Sequence, residues 1–221
     1  MKKILTGLVT AMALSTAVQA ADVSGTVSFT NDYRFRGLSQ TMGDPAVQGS
    51  LDVGFDNGVY AGIWGSNVDF DDDANLEIDY YVGFANDIND ALSYDVMAAY
   101  YTYSGYSGED YDYLELITSL YYSDFSFSYA YAGDYANSGD ESHYLAVDYS
   151  YGINDAIALD LHAGHSFGDA YSDDYEDYSI GLSGNAVGLD LSLAYLTNDV
   201  EGSTTDDFDD DTVVFSVSRT F

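Results

Sequence analysis

Apolar and polar residues alternate with a period of two along most of the chain. In LEIDYYVGF (76–84), Leu76, Ile78 and Tyr80 share one face while Glu77 and Asp79 share the other. This period is typical of strands with one apolar face, so it predicts an all-β protein. The pattern recurs in twelve segments, of which 59–69 is the weakest: 22–35, 46–55, 59–69, 75–85, 91–103, 112–122, 125–132, 142–151, 157–167, 175–184, 188–197 and 212–221.

The connections between these segments alternate in length. Short connections such as DNG (56–58), NDIND (86–90) and GINDA (152–156) are separated by longer acidic ones such as GDYANSGDE and NDVEGSTTDDFDDD. Transmembrane β-barrels have short turns at one end and longer loops at the outer end, and strands of about ten residues cross a bilayer when tilted. The alternation of short and long connections predicts a transmembrane antiparallel up-and-down β-barrel of about twelve strands. Alternation alone would also fit a secreted β-sandwich or soluble barrel.

The two ends of the chain carry export features. Lys2 and Lys3 precede an apolar stretch, and Val18-Gln19-Ala20 has the small residues of a cleavage site. We expect residues 1–20 to be a signal peptide and 21–221 to form a barrel in the cell outer membrane. The terminal VVFSVSRTF resembles the strand that the outer-membrane assembly machinery recognises, although Arg219 departs from that pattern.

Charge and composition exclude several classes of protein. After residue 20 the chain has three Arg, no Lys and 38 Asp and Glu, which argues against nucleic acid as a partner. It has no Cys, so it is not a disulfide scaffold. Its 23 Tyr and 11 Phe distinguish it from a disordered acidic chain and favour strands.

If the apolar face meets lipid, the polar face lines the lumen. Arg34 and Arg36 then lie on the lumen face near the outer end of the first strand, where we expect them to neutralise acids such as Asp52. Asp32, Asp177 and Asp190 share the lumen face with the candidate selectivity residues. These candidates are Arg34, Arg36, Asp52, Glu77, Asp79, Asp95, Glu115, Asp148, Asp160 and His162.

A barrel of this size and lining predicts a narrow porin-like pore for small solutes that favours cations. The alternative is a closed, non-conducting structural or surface-interaction barrel whose acidic loops bind ions. A barrel hydrolase is a third hypothesis. His162 and Asp160 argue against it, because residues two apart on a strand are separated by about 7 Å, too far for a direct hydrogen bond between a catalytic histidine and aspartate. We predict no catalytic residue, cofactor or metal site.

The acidic runs at Asp71–Asp73 and Asp206–Asp211 lack the spacing of a calcium-binding loop. We interpret them as solvated charge that divalent ions bridge to lipopolysaccharide. The other expected partners are outer-membrane lipid and the small solutes or ions that pass through the pore.

Four consecutive runs resemble the TorF family, an uncharacterised proteobacterial family of porin-like outer-membrane proteins: DYRFRGLSQT (32–41), AVQGSLDVGF (46–55), YAGIWGSNVDF (60–70) and LEIDYYVGF (76–84). Arg36 matches the family motif, whereas Arg34 occupies a position that we take as variable. The residues that carry the resemblance are Tyr33, Phe35, Arg36, Gly37, Ser39, Gln40, Trp64, Gly65, Ser66 and Asn67, and it continues loosely through DLSLAY and SVSRTF. The resemblance implies an outer-membrane barrel with passage of solutes.

Overall fold

Twelve long strands form a closed antiparallel barrel in the computed structural model, which describes residues 21–71, 73–105, 111–200 and 206–221. The expected signal peptide, residues 1–20, lies outside the described residues. The strands are β1 (Asp22–Thr30), two short strands β2 (Arg34–Phe35) and β3 (Leu38–Ser39), then β4 (Ala46–Gly54), β5 (Val59–Asn67), β6 (Leu76–Asn89), β7 (Leu92–Ser104), β8 (Tyr113–Tyr122), β9 (Phe125–Ala132), β10 (Ser142–Gly152), β11 (Ile157–Phe167), β12 (Tyr175–Ala186), β13 (Leu189–Asn198) and β14 (Thr212–Thr220). A 3-10 turn spans Tyr135–Asn137, and a short helix, α1, spans Asp206–Asp209.

The barrel closes through β1, which pairs with β4 on one side and with β14 on the other. Thr26 is opposite Ser50 in the first pair and opposite Thr220 in the second, where the two threonine hydroxyls are 2.9 Å apart. Every long strand therefore has two neighbours, and no edge is left exposed. The predicted twelve-stranded barrel is confirmed.

The outward face of the wall is apolar, as lipid contact requires. Large side chains such as Val27, Leu51 and Leu116 are about half exposed there. Aromatic residues flank this surface at both ends: Tyr100, Tyr129, Tyr178 and Tyr195 at one, and Phe55, Tyr122, Tyr151 and Phe221 at the other. Within the described residues, no helix has the length and apolar character needed to span a bilayer.

The two ends of the barrel differ, because tight turns connect the strands at one and longer connections at the other. We call these the short-turn end and the long-loop end. The predicted turn at 86–90 is shorter than expected, since β6 continues to Asn89. The Asn89 Oδ1 atom accepts hydrogen bonds from the backbone N–H groups of Ala91 and Leu92, at 3.0 and 3.1 Å, which closes a tight turn there.

The predicted first strand, 22–35, is wrong beyond Thr30. The chain leaves the wall after Thr30, folds into the barrel interior and rejoins the wall at Ala46. Buried apolar residues lie inside the barrel at the long-loop end, in two clusters that include Tyr33 and Val68 in one and Tyr101 and Tyr113 in the other. Protein therefore occupies much of the interior of this half.

Candidate functional site: the barrel lumen

Residues 32–41 form a small hairpin inside the barrel, which we call the lumenal hairpin. Arg34 pairs with Ser39 and Phe35 with Leu38, so Arg36 and Gly37 make a two-residue turn. Both turn residues have positive φ, 50° and 81°, as in the tight hairpin turns that favour glycine. The extended run that alternation continues from the first strand is thus broken between Thr30 and Arg34, and the chain reverses at Arg36-Gly37.

Asp32 holds the base of the hairpin together. Its Oδ1 accepts a hydrogen bond from the Ser39 hydroxyl at 2.7 Å, and its Oδ2 lies 2.5 Å from Nε of Arg34. Arg34 also donates from Nη1 to the Gly37 carbonyl at 3.1 Å. Asp32 and Arg34 are both buried, so this ion pair is an internal fastening of the hairpin.

The tip of the hairpin reaches the wall opposite its origin. The hairpin follows β1, and β8 and β10 flank the strand that lies diametrically across the barrel from β1. Arg36 Nη2 is 2.6 Å from Glu115 Oε1 on β8, and the guanidinium lies over the Tyr144 ring on β10, 4.5 Å from its centroid. The chain thus spans the whole lumen near the long-loop end.

The sides of the hairpin also contact the wall. The rings of Phe35 and Tyr101 are 6.1 Å apart and meet edge to face, as do those of Tyr33 and Trp64 at 5.4 Å. A Cβ atom on Gly37 would lie 2.7 Å from Cβ of Asp177, too close for any other residue without displacement. The turn therefore needs glycine both for its backbone and for its fit.

The predicted placement and partner of Arg34 and Arg36 are wrong. Neither lies on the first barrel strand, and neither pairs with Asp52. Asp52 instead accepts hydrogen bonds from the hydroxyls of Tyr81 and Ser50, the latter at 2.8 Å. The physical reason is that the chain leaves the wall after Thr30 and folds into the hairpin, which carries both guanidinium groups away from β1 and β4 to the centre and far wall of the barrel.

The predicted wall acids do line the interior, in two tiers. Four lie in the half near the long loops: Glu77, Asp79, Glu115 and Asp177, all at most 9% exposed. Glu115 is fully buried between Arg36 and the Tyr101 hydroxyl, which donates to its Oε2 at 3.2 Å. The second tier lies at mid-barrel and towards the short turns: Asp52, Asp95, Asp148, Asp160 and Asp190.

His162 belongs to a network that joins the two tiers. Its Nδ1 is 2.6 Å from Asp148 Oδ1, and its Nε2 is 2.9 Å from both Asp177 Oδ1 and the Tyr144 hydroxyl. Asp160, its neighbour along the strand, is bound by the Ser150 hydroxyl instead, at 2.6 Å. The imidazole thus bridges carboxylates on β10 and β12, and this contact ties the two strands together.

The second tier is hydrogen-bonded mainly by neutral donors. The Tyr60 hydroxyl contacts both oxygens of Asp95, at 2.9 and 2.8 Å, and the Ser126 hydroxyl donates to Asp148 at 2.9 Å. Asn185 donates to Asp190 at 3.0 Å. Within the described residues, none of the five acids of this tier forms an ion pair with arginine or lysine.

Sequence reasoning placed Tyr81 on the face of Glu77 and Asp79 but gave the inward tyrosines no role. The ring of Tyr81 covers Gly62 and that of Tyr60 covers Gly83, so closely that a Cβ at either glycine would lie within 2.4 Å of the ring. Each tyrosine faces its glycine directly across the β5–β6 pair. A glycine at an inward position directly across from a tyrosine could have predicted this packing, because the missing side chain leaves room for the ring to lie flat along the wall.

A cavity of about 330 Å³ opens beyond the hairpin at the long-loop end. Its lining is mostly aromatic and includes Phe35, Phe70, Tyr103, Tyr113, Tyr135 and Tyr175. Among the residues that the structure describes, no three or more His, Asp or Glu side chains gather in the manner of a metal site. The lumen therefore consists of an aromatic vestibule, a hairpin layer and an acidic inner half.

The fold has several solved relatives. The NanC porin shares 13% identity with a TM-score of 0.56, over 90% of this chain and 98% of its own. The KdgM porin shares 9% identity with a TM-score of 0.53, and the match covers 90% of this chain and 97% of the porin. An outer-membrane channel from Pseudomonas putida F1 shares 9% identity with a TM-score of 0.55, over 93% of this chain and 97% of the channel. These likenesses establish a common fold. Comparison with curated protein sequences gives no significant match.

A family model provides the stronger sequence relationship. The model described as a bacterial protein of unknown function, Gcw_chp, matches residues 15–221, which includes the hairpin and all twelve wall strands. Its description does not carry the TorF name, so that name remains a resemblance. The chain belongs to the Gcw_chp family of bacterial proteins of unknown function.

Proposed function

We propose that this protein is an outer-membrane channel through which small solutes diffuse passively, with a preference for cations. The observation that carries the proposal is the charge of the wall: nine inward carboxylates line a closed barrel whose two lumenal arginines are both engaged in ion pairs. A lumen lined by carboxylates attracts cations and repels anions. The mechanism requires no covalent chemistry.

The lumenal hairpin defines the narrowest part of the proposed path. It crosses the barrel at the level of Glu115 and leaves the acids near the short turns below it. Solutes would enter through the aromatic vestibule, pass around the hairpin and then meet Asp52, Asp95 and Asp148. The hairpin sets the size limit in this scheme, and the inner acids set the charge preference.

The surrounding partners follow from this location. The apolar outer face contacts outer-membrane lipid, and the acidic long loops face lipopolysaccharide, with divalent ions between the two sets of negative charge. The outer-membrane assembly machinery would insert the chain. Small solutes or ions are the transported partners, and the net charge of −33 disfavours nucleic acid.

The direct test is conductance of the refolded protein in a planar bilayer, with the reversal potential measured across a salt gradient. We expect discrete openings with a reversal potential on the cation-selective side, and a smaller preference in Asp52→Asn/Asp95→Asn. Asp155→Asn removes an exposed acid in a short turn and is the matched control. Anion preference, or an unchanged preference in the double variant, contradicts the proposal.

A non-conducting barrel is the second candidate, and the hairpin is the observation that favours it. A segment fastened to the wall by an ion pair at its tip and by ring contacts along its sides is also what a plug requires. If the wild-type protein shows no conductance while a variant without the hairpin conducts, the native barrel is closed. The structural and surface-interaction role would then replace the channel.

A further inference from the structure

Glu77 and Asp79 occupy successive inward positions on β6, and both are deeply buried. Glu77 is 2% exposed and Asp79 is 9% exposed. The Tyr103 hydroxyl donates to Glu77 Oε1 at 2.9 Å. Within the described residues, Glu77 Oε2 and Asp79 Oδ1 are buried and have no hydrogen-bond partner. Two buried carboxylate oxygens on neighbouring side chains thus point to a ligand that supplies positive charge.

Among the described residues, no arginine forms an ion pair with either of these two carboxylates. Arg36 is engaged by Glu115 and Arg34 by Asp32, each at 2.6 Å or less. The remaining arginine after residue 20, Arg219, lies at the short-turn end, over the ring of Phe221. Burying charge without a partner is strongly unfavourable. Two negative charges in this place therefore require a bound cation or protons.

The surroundings close the pair off from the lumen. Trp64 is the direct cross-strand partner of Asp79, and the ring of Tyr33, on the lumenal hairpin, packs edge to face on Trp64. The Tyr33 side chain is itself buried. The pair therefore lies between the β6 wall and the hairpin, and whatever binds there also joins the two.

We propose that Glu77 and Asp79 bind one divalent cation of the calcium class. The donors are carboxylate oxygens, which hard cations prefer, and the two charges match one divalent ion. Residues two apart on a strand lie about 7 Å apart at Cα, so both side chains can reach the same ion. Calcium accepts irregular oxygen shells completed by water, whereas magnesium demands a near-ideal octahedron. This site does not depend on whether the barrel conducts.

The test uses the full barrel refolded in lipid vesicles, stripped with EDTA and titrated with calcium at constant pH and ionic strength. Trp64 is the single tryptophan of the chain and reports on the site directly. We expect a saturable change in its fluorescence and a Tm rise of about 5–10 °C at calcium 100-fold above Kd. Terbium should bind in place of calcium and give luminescence on excitation of Trp64.

Glu77→Gln/Asp79→Asn gives the decisive contrast. The variant should lose the calcium response, and without calcium it should melt above the wild type, because two uncompensated charges are gone. A merely structural role for the two acids predicts lower stability under every condition. Asp173→Asn/Asp174→Asn removes a pair of exposed acids in a long loop and should keep the full wild-type response.

Three outcomes overturn the proposal. An equal calcium response in Glu77→Gln/Asp79→Asn places the ion elsewhere, for example on the acidic loops. A wild-type Tm that depends on pH but not on calcium assigns a shared proton to the pair. If the double variant does not fold, terbium luminescence of the wild type decides, and its absence on excitation of Trp64 rejects the site.

Discussion

The two halves of the lumen handle negative charge in different ways. In the half near the long loops, the chain crosses the barrel and brings its own cations, so that Arg36 pairs with Glu115 and Arg34 with Asp32. In the half near the short turns, acids such as Asp95 are hydrogen-bonded by hydroxyl groups and have no arginine. One half is crossed by the hairpin with its two ion pairs, and the other is a polar wall whose acids have no arginine partner.

The comparison separates structural charge from functional charge. A buried ion pair fixes one geometry, because removing either member leaves the other unpaired in a medium of low dielectric constant. A carboxylate held by tyrosine keeps its position, and in its ionised form its field acts on the lumen. The hairpin half should therefore govern stability and pore size, and the inner half should govern ion preference.

Removal of the lumenal hairpin should have the largest effect. Replacing residues 32–41 with a flexible Gly-Ser linker of the same length removes the segment that reaches across the barrel to Glu115. A twelve-stranded barrel has an interior between that of filled eight-stranded barrels and that of open porins. We expect single-channel conductance to increase several-fold, measured in planar bilayers.

The control for this experiment is the same Gly-Ser replacement in another long connection. A Gly-Ser replacement of 168–174, which joins β11 to β12 at the same end, should leave conductance within a factor of two of the wild type. Equal conductance with and without the hairpin would show that the hairpin half is not the narrowest part of the path.

Loss of the central ion pair comes next. Glu115→Gln leaves the Arg36 guanidinium buried without its carboxylate, and such a loss costs about 3–5 kcal/mol of unfolding free energy. The measurement is a urea titration of the protein refolded in vesicles. Arg36→Met/Glu115→Gln should recover most of this loss, because neither partner is then charged. A penalty below 1 kcal/mol for Glu115→Gln would contradict a structural role for the pair.

The wall of the barrel was predictable from sequence because lipid imposes the pattern. Every wall strand must show apolar residues outward, so the period of two identified segments such as 76–84 and 189–195 without knowledge of their neighbours. The short connections fixed which strands pair, since each joins adjacent antiparallel strands. The same alternation predicted which acids face the interior, because they occupy the positions between the outward apolar residues.

The lumenal hairpin was not predictable in this way. DYRFR alternates as a strand does, so the period continues past Thr30 even though the wall ends there. The Arg36-Gly37 pair was the local sign of a turn. The partner of Arg36 is 79 residues away on the opposite wall, and neither periodicity nor turn chemistry specifies a contact across the lumen. Contacts of this kind depend on the assembled barrel.

Gly37→Ala tests how tightly the hairpin fits. The substitution places a Cβ on a residue with φ of 81° and within 2.7 Å of Cβ of Asp177, so we expect a loss of about 1–3 kcal/mol. Gly139→Ala is the matched control, because Gly139 has φ of 84° and nothing within 4 Å of the added atom. The difference between the two variants in urea titrations isolates the contact with the wall. Equal losses would mean that the hairpin tip has room to move.

The smallest effect should come from the inner half, where neutral donors hold the acids. Tyr60→Phe removes the hydroxyl that binds both oxygens of Asp95, and we expect a loss of about 1 kcal/mol. Tyr151→Phe, at an exposed outward position of the same end, should change stability by less than about 0.5 kcal/mol. Because Tyr60→Phe keeps the carboxylate, the reversal potential should stay at the wild-type value, whereas Asp95→Asn should move it towards zero. A shift with Tyr60→Phe as large as that with Asp95→Asn would mean that the tyrosines set the ion preference together with the charge.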